Sequence, residues 1–438
     1  MDGPTRRHCS VAGLTLALAA ALAQGADWPQ FHGPRRDSIS TETGLLKQWP
    51  EGGPKLLWTA SGIGHGFSCV AIADGLIYIT GNVGGDTLIT ALGLDGSAKW
   101  TARNGPAYKR EQAGTRSTPT IDAGRLYHMN AEGDLACLDA RTGAPVWSLN
   151  TLRKFNGRNI RWGLAESLLI DGDRLIATPG GEEIGIVALN KLTGETVWTC
   201  KGIGEKPGYA SPVLIERQGL RLIVTLMAKA LVGVNADTGE FLWRFEHETP
   251  YDESIFTPLY RDGLIYFATA HARGSRLLRL KVDGKKSSVE QVWSTEKLDN
   301  HHGGVVLLGD CQAVAHSLAA AAKLPSGSPR AAGYLYGFCH GNYKPRWDCL
   351  EWATGKLAHS VPTGVDGSVT FADGRIYALD HRGLMALIRP EPAERVVISQ
   401  FQIPKGGRGP VWGHPVVCGG RLYLRHGDFL YAYGIRTR

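Results

Sequence analysis

The chain has 438 residues, of which 43% are hydrophobic and only 20% charged, and its 57 glycines stand against 4 methionines. That balance suits a turn-dense β protein with a large core and disfavours a helical one. The net charge of +7 contains no run of lysine or arginine that resembles a phosphate-tracking stripe, so nucleic acid is not an expected partner.

Residues 1–26 read as a signal peptide: Arg6 and Arg7 form a basic start, an apolar run at 11–23 is too short for a membrane span, and small residues follow. Cleavage between Ala23 and Asp27 would deliver the protein to the periplasm or outside the cell. Cys9 precedes the apolar run, so no lipid anchor is expected. Residues 27–54 are rich in turn formers and aromatics without strand alternation, and read as an arm fastened to the body by Trp28 and Phe31, or else as a docking motif for a partner.

From residue 55 a pattern returns along the chain: LGLDGSAKW at 92–100, LDARTGAPVW at 138–147, LNKLTGETVW at 189–198, VNADTGEFLW at 234–243 and LEWATGKLAH at 350–359. Each reads as a β-hairpin whose turn glycine (Gly143, Gly194, Gly239, Gly355) takes positive φ and whose second strand carries an aromatic four residues on. A second turn precedes most copies, as in ADGLIYIT (73–80), RDGLIYFA (261–268) and ADGRIYAL (372–379). Two hairpin turns per unit imply three to four strands.

The recurring aromatic positions are Trp58, Trp100, Trp147, Trp198, Trp243, Trp293, His359 and Phe401, spaced 42 to 51 residues apart except for 66 between Trp293 and His359. Residues 311–333, Ala-rich and then Ser, Gly and Pro-rich, read as an insertion whose removal restores the period. Four strands per roughly 40 to 50 residues is the mark of a β-propeller. The last unit (414–435) offers three strands, and KLLWTA at 55–60 supplies the fourth. The expected fold is all-β: one eight-bladed propeller over 55–438, of four-stranded antiparallel blades, closed by an N-terminal strand that completes the last blade and removes two free edges. The aromatics are expected as wedges between blades, each burying about 150–250 Å², or roughly 4–6 kcal/mol of gross burial. His359 should make the weakest seam.

The first strand of each blade lines a central channel. Counting back six and eight residues from the turn glycines Gly75, Gly124, Gly172, Gly263, Gly374 and Gly420, with blades four and six aligned on Pro212 and Asp310, gathers Arg116, Glu166, Tyr209, His302, Asp366, Trp412 and His414 at the channel mouth. Arg116 suits an anion, Trp412 or Tyr209 a planar ring, and Asp366, Glu166 or a histidine a proton. The alternative is a water-filled channel whose polar groups satisfy each other. No metal site is expected, because His301 and His302 are adjacent on an extended chain and face opposite ways. Cys339 and Cys349 flank one hairpin and either pair or pack.

The repeated D-x-x-T-G-x-x-x-W unit resembles the pyrroloquinoline quinone (PQQ) β-propeller repeat of quinoprotein alcohol dehydrogenases and of the outer-membrane-assembly propeller lipoprotein. The stretches DWPQFHGP, TGNVGGDT, RSTPT, HHGGVV and GHPVV are similar to those of exported PQQ-like repeat proteins. The resemblance implies either a non-enzymatic scaffold that binds another exported or envelope protein or a small polar ligand, or a PQQ-dependent alcohol or sugar dehydrogenase that uses calcium. The chain lacks the two adjacent cysteines of the dehydrogenases, and no Glu, Asn and Asp set matches their calcium ligands one for one. The scaffold is therefore the expected role, with the quinoprotein as its alternative.

Overall fold

The computed structural model describes residues 27–309 and 333–437. The proposed signal peptide and, but for Gly333, the 311–333 insertion lie outside them.

Eight antiparallel blades form the ring. Blade one runs Ala71–Ala73, Leu76–Val83, Asp86–Gly93 and Ala98–Pro106, and the others repeat this order. Its first hairpin turns on Asp74 and Gly75, both with positive φ (50° and 77°), a primed turn whose twist matches that of the strands. Blade eight combines Val416–Cys418, Arg421–His426 and Phe429–Gly434 with the N-terminal strand Lys55–Ala60, Trp58 standing opposite Ala432. The connectivity gives the ring two faces. Both hairpin turns of blades one to seven and the first of blade eight lie on one, and the loops joining second to third strands and blade to blade lie on the other, the mouth.

On the turn face one device recurs. Trp100 Nε1 donates to the Ala140 carbonyl of the next blade (3.1 Å), Trp147 to Lys191 (3.0 Å), Trp198 to Ala236 (3.1 Å), Trp293 to Trp352 (2.9 Å) and Trp58 to Leu94 (2.8 Å). The ring lies flat on the turn glycine of that next blade: a Cβ on Gly239 would stand 2.6 Å from Trp198, and one on Gly355 would stand 2.7 Å from Trp293. Glycine is thus needed there for contact as well as for φ.

Three positions vary the device. Trp243 faces a blade whose outer hairpin has ten-residue strands, Gly274–Asp283 and Lys286–Thr295, and its Nε1 has no partner among the described residues. Phe401 packs on Gly53 and edge-on against Trp49 at 5.2 Å. At His359, ring Nδ1 lies 2.8 Å from the Pro392 carbonyl in the next blade's turn, so the imidazole keeps the hydrogen bond and gives up the area.

The arm enters the ring from the turn face. Trp28 pairs with Ile72 of blade one, Pro29 accepts from Ile121 of blade two, and Ile39–Ser40 adds a parallel strand inside blade seven. Between them the Arg36 guanidinium is fully buried, donating to the carbonyls of Ser167 (3.0 Å), Leu168 and Pro212 (2.9 Å). The arm leaves past blade eight, where Glu42 accepts from the Gly419 and Gly420 amides. Its aromatics and this arginine plug the channel from below.

Of the two alternatives for Cys339 and Cys349, the structure shows packing without a bond. Cys339 and Cys349 are both free; the register sets Cys339 opposite Arg346 and Cys349 opposite Tyr336. Three residues of strand, roughly 10 Å, keep them apart.

Candidate functional site

Where blades one, two, three and eight begin, a neighbour's side chain receives the backbone amide. Cys69 N donates to Thr118 Oγ1 (3.0 Å), Thr118 N to Ser167 Oγ (3.0 Å), Ser167 N to Ser211 Oγ (2.9 Å), and His414 N to Cys69 Sγ (3.1 Å). These bonds hold the rim of the channel in register. They also show a slip of one residue in blade three. Asp171 pairs with Arg174, so Gly172 is the first turn residue rather than the second as in Asp74-Gly75. Counting from Gly172 therefore selects Glu166 where Ser167 stands.

Above the arm the channel opens into a cavity of about 300 Å³. Five of the seven residues picked out from the sequence line it: Arg116, Tyr209, His302, Trp412 and His414. Glu166 and Asp366 do not. Glu166 turns away, accepting from the Thr178 amide (2.9 Å) and hydroxyl; burial pushes its carboxyl up to about 7, against the pull of Thr178 and Arg36. Asp366 is buried behind the wall, accepts from the Gly367 amide (2.9 Å), and is raised to about 6 by burial.

The floor is Phe31 stacked on His32 (centroids 3.8 Å), with His414 4.8 Å from His32. One wall is Trp412, parallel to His302 at 4.4 Å and 18°. Across the cavity Tyr209 takes the Trp162 amide on its hydroxyl (3.3 Å). Arg116 donates to the carbonyls of Gly114 (2.8 Å) and Gln112 (2.5 Å), sits 4.6 Å over the Tyr108 ring, and has no carboxylate partner among the described residues. Desolvation lowers its guanidinium to about 10, still charged at neutral pH.

The mouth is also lined by groups the register did not select. Glu253 Oε2 lies 2.7 Å from His271 Nε2, and Glu253 Oε1 lies 3.0 Å from His301 Nε2. Burial would raise the Glu253 carboxyl, but its interactions with the two imidazoles outweigh this and hold it down to about 2. His340 packs 4.9 Å from His271 and 5.3 Å from His301. Burial lowers His340 and His414 to about 4 and His381 to about 3, and drives His32 and His302 well below the ordinary value, so these rings are neutral. All five keep a buried ring nitrogen without a hydrogen bond among the described residues. The signal was present in HHGGVV and TAHARG, but these are loops, where no strand register assigns a direction.

Residues 38–180 and 182–328 match the model of the family described as outer membrane protein assembly factor BamB. The chain is 27% identical over 163 residues to the quinoprotein alcohol dehydrogenase PedH of Pseudomonas putida, covering 35% of this chain and 26% of that one. It is 28% identical over 145 residues to a quinoprotein ethanol dehydrogenase of Pseudomonas aeruginosa, covering 30% and 23%. The match thus spans about a quarter of each relative's length. Among solved structures, BamB from Moraxella catarrhalis superposes with a TM-score of 0.55 at 16% identity, over 88% of this chain and 98% of that one. The quinohemoprotein alcohol dehydrogenase of Comamonas testosteroni superposes with a TM-score of 0.60 at 13% identity, over 94% and 81%, a likeness of fold alone. With two thirds of its length in the family model and that repeat in its blades, the chain belongs to the BamB-like family of PQQ-repeat β-propellers.

Proposed function

We propose that the protein is an exported ligand-binding propeller that takes a planar anionic small molecule in the channel-mouth cavity. The observation that carries this reading is Arg116: a half-buried cation, facing the cavity, whose partners are two carbonyls and an aromatic face but, among the described residues, no carboxylate. A desolvated charge of this kind is costly until an anion arrives, and guanidinium is the group best shaped to receive a carboxylate. Trp412 offers the stacking surface that selects a flat ligand. Export rests on the basic and apolar N-terminal pattern together with the family's description as outer membrane assembly factors.

The quinoprotein relatives raise PQQ with calcium as the occupant. Arg116 and Trp412 suit a flat polycarboxylate, but the cation partner does not fit. Calcium asks for six to eight oxygens, whereas the carboxylate here, Glu253, is flanked by two imidazole nitrogens. No two described cysteines are adjacent in the chain, and Cys69 is the one cysteine in the cavity wall among the described residues. No redox step follows from these residues.

The test is a tryptophan-fluorescence titration of purified protein with PQQ, with and without Ca²⁺, and with benzene-1,3,5-tricarboxylate as a redox-inert planar polyanion. At least one should bind, and Arg116→Ala should weaken it tenfold or more. Assays with alcohols, sugars and an artificial electron acceptor run alongside. Failure of every planar anion to bind sinks the reading, and dye reduction dependent on PQQ replaces it with the quinoprotein alternative.

A further inference from the structure

We propose that Glu253, His271 and His301 form a binding site for a late first-row divalent cation of the Zn²⁺ class, with an open coordination position toward the cavity. The three donors come from separate loops on the mouth face. Glu253 precedes blade five, His271 lies between that blade's second and third strands, and His301 leads into blade six. Their ligating atoms all lie within 4.8 Å of one another, with the carboxylate oxygens 2.7 and 3.0 Å from the two Nε2 atoms. Zinc bonds of about 2.0–2.2 Å in tetrahedral array set donors roughly 3.3–3.5 Å apart. The carboxylate–imidazole separations of 2.7 and 3.0 Å are slightly shorter than that span, so modest side-chain adjustment admits the ion.

Three observations separate this cluster from a carboxylate that merely accepts two N–H bonds. His301 Nε2, although 3.0 Å from Glu253, makes no directed hydrogen bond and is buried. The backbone is strained on two of the donor loops: Tyr251 and Asp252 beside Glu253 have φ of 65° and 58°, and His271 and Ala272 have 59° and 60°. Non-glycine residues in this region cost free energy and gather where a site is held in place. The loops are also cross-tied. Asp299, two residues before His301, accepts the Ala272 amide (3.2 Å) on Oδ2 and the Gly341 amide (2.8 Å) on Oδ1. Asp299 is a positioning residue and His340, on the third tied loop, buttresses both imidazoles.

Two imidazoles and one carboxylate select a borderline metal over calcium or magnesium, which prefer oxygen donors. Glu253 and His301 line the cavity, so a fourth position would face it. A site with three protein donors leaves a place for water or a ligand atom.

The experiment is calorimetric titration of untagged, EDTA-treated protein with Zn²⁺, and Co²⁺ absorption to report geometry. One equivalent should bind, with visible Co²⁺ bands typical of four or five coordination. His271→Ala, His301→Ala and Glu253→Gln should each lower affinity at least tenfold, while His426→Ala, in blade eight, should not. Circular dichroism of the apo variants establishes that they fold, and Glu253→Gln preserves shape if an alanine variant does not. Ca²⁺ at millimolar concentration should not displace Co²⁺. Absence of stoichiometric binding, binding that survives the double variant His271→Ala/His301→Ala, or displacement by Ca²⁺ would overturn the assignment. Each outcome is independent of whether a planar anion binds.

Discussion

The two faces of the ring obey different rules. On the turn face one solution recurs: an indole laid on a positive-φ glycine and hydrogen-bonded to the next blade's turn. On the mouth face the rim bonds recur, but the cavity-facing side chains do not. Histidines, one glutamate and one arginine arrive from loops of different length, and several keep buried nitrogens unsatisfied. The first face spends its side chains on cohesion, and the second holds polar groups at a cost that only a ligand offsets. Substitutions on the turn face should therefore change stability and leave binding alone, with the reverse at the mouth.

The largest effect should come from Trp198→Ala. It removes a buried ring that spans blades three and four together with its bond to Ala236, and should destabilise the protein by about 3–5 kcal/mol in denaturant unfolding. A loss under about 1 kcal/mol would mean the indole is not the seam.

Next comes a pH effect from inside the ring. Glu166 has its folded pKa raised from 4.5 to about 7, so its protonated form is favoured in the native state. Its contribution is fully present below pH 4.5 and is lost as pH rises through about 7, on the order of 3 kcal/mol. Glu166→Gln should remove that slope from a profile of melting temperature against pH between 4.5 and 8. An unchanged slope would show that Arg36 already keeps the carboxylate ionised.

His359→Trp probes the exception to the turn-face rule. The next blade's turn, residues 390–394, contains two prolines and no glycine, so an indole would find no flat bed. Overpacking should cost about 1–3 kcal/mol. Stabilisation would restore the view that histidine is simply a weaker wedge.

At the mouth, His381→Leu replaces a buried ring nitrogen that has no partner among the described residues. Stability should change by less than about 1 kcal/mol, or rise, since removing an unsatisfied polar group relieves a desolvation cost. A loss above 2 kcal/mol would reveal an unrecognised partner.

The same contrast decides what was legible beforehand. Strand alternation and fixed turn offsets made Trp58 and the closing strand readable across the whole chain, and the same register led to Arg116, Tyr209, His302, Trp412 and His414. It missed Glu166 by one place because a two-residue turn tolerates glycine at either position, as Gly172 does. Asp366 was counted correctly along the strand but lies behind the wall, which register does not report. Glu253, His271 and His340 belong to loops, where neither period nor turn chemistry dictates direction. The depth of the arm was likewise hidden, because Arg36 bonds to carbonyls of blades three and four and such contacts leave no pattern in sequence.

The closing strand has a consequence for how the molecule is made. Every other blade takes its four antiparallel strands from one contiguous stretch, but Trp58 meets Ala432, so the Lys55–Ala60 strand emerges early and waits for a partner that comes last. Joining ends so distant costs about 3 kcal/mol more loop entropy than a ten-residue hairpin. Until then blade eight's future edge is bare, with Leu56 and Leu57 available to any passing strand. Ring closure is thus a single long-range pairing, the kind of contact that topology makes slow to form.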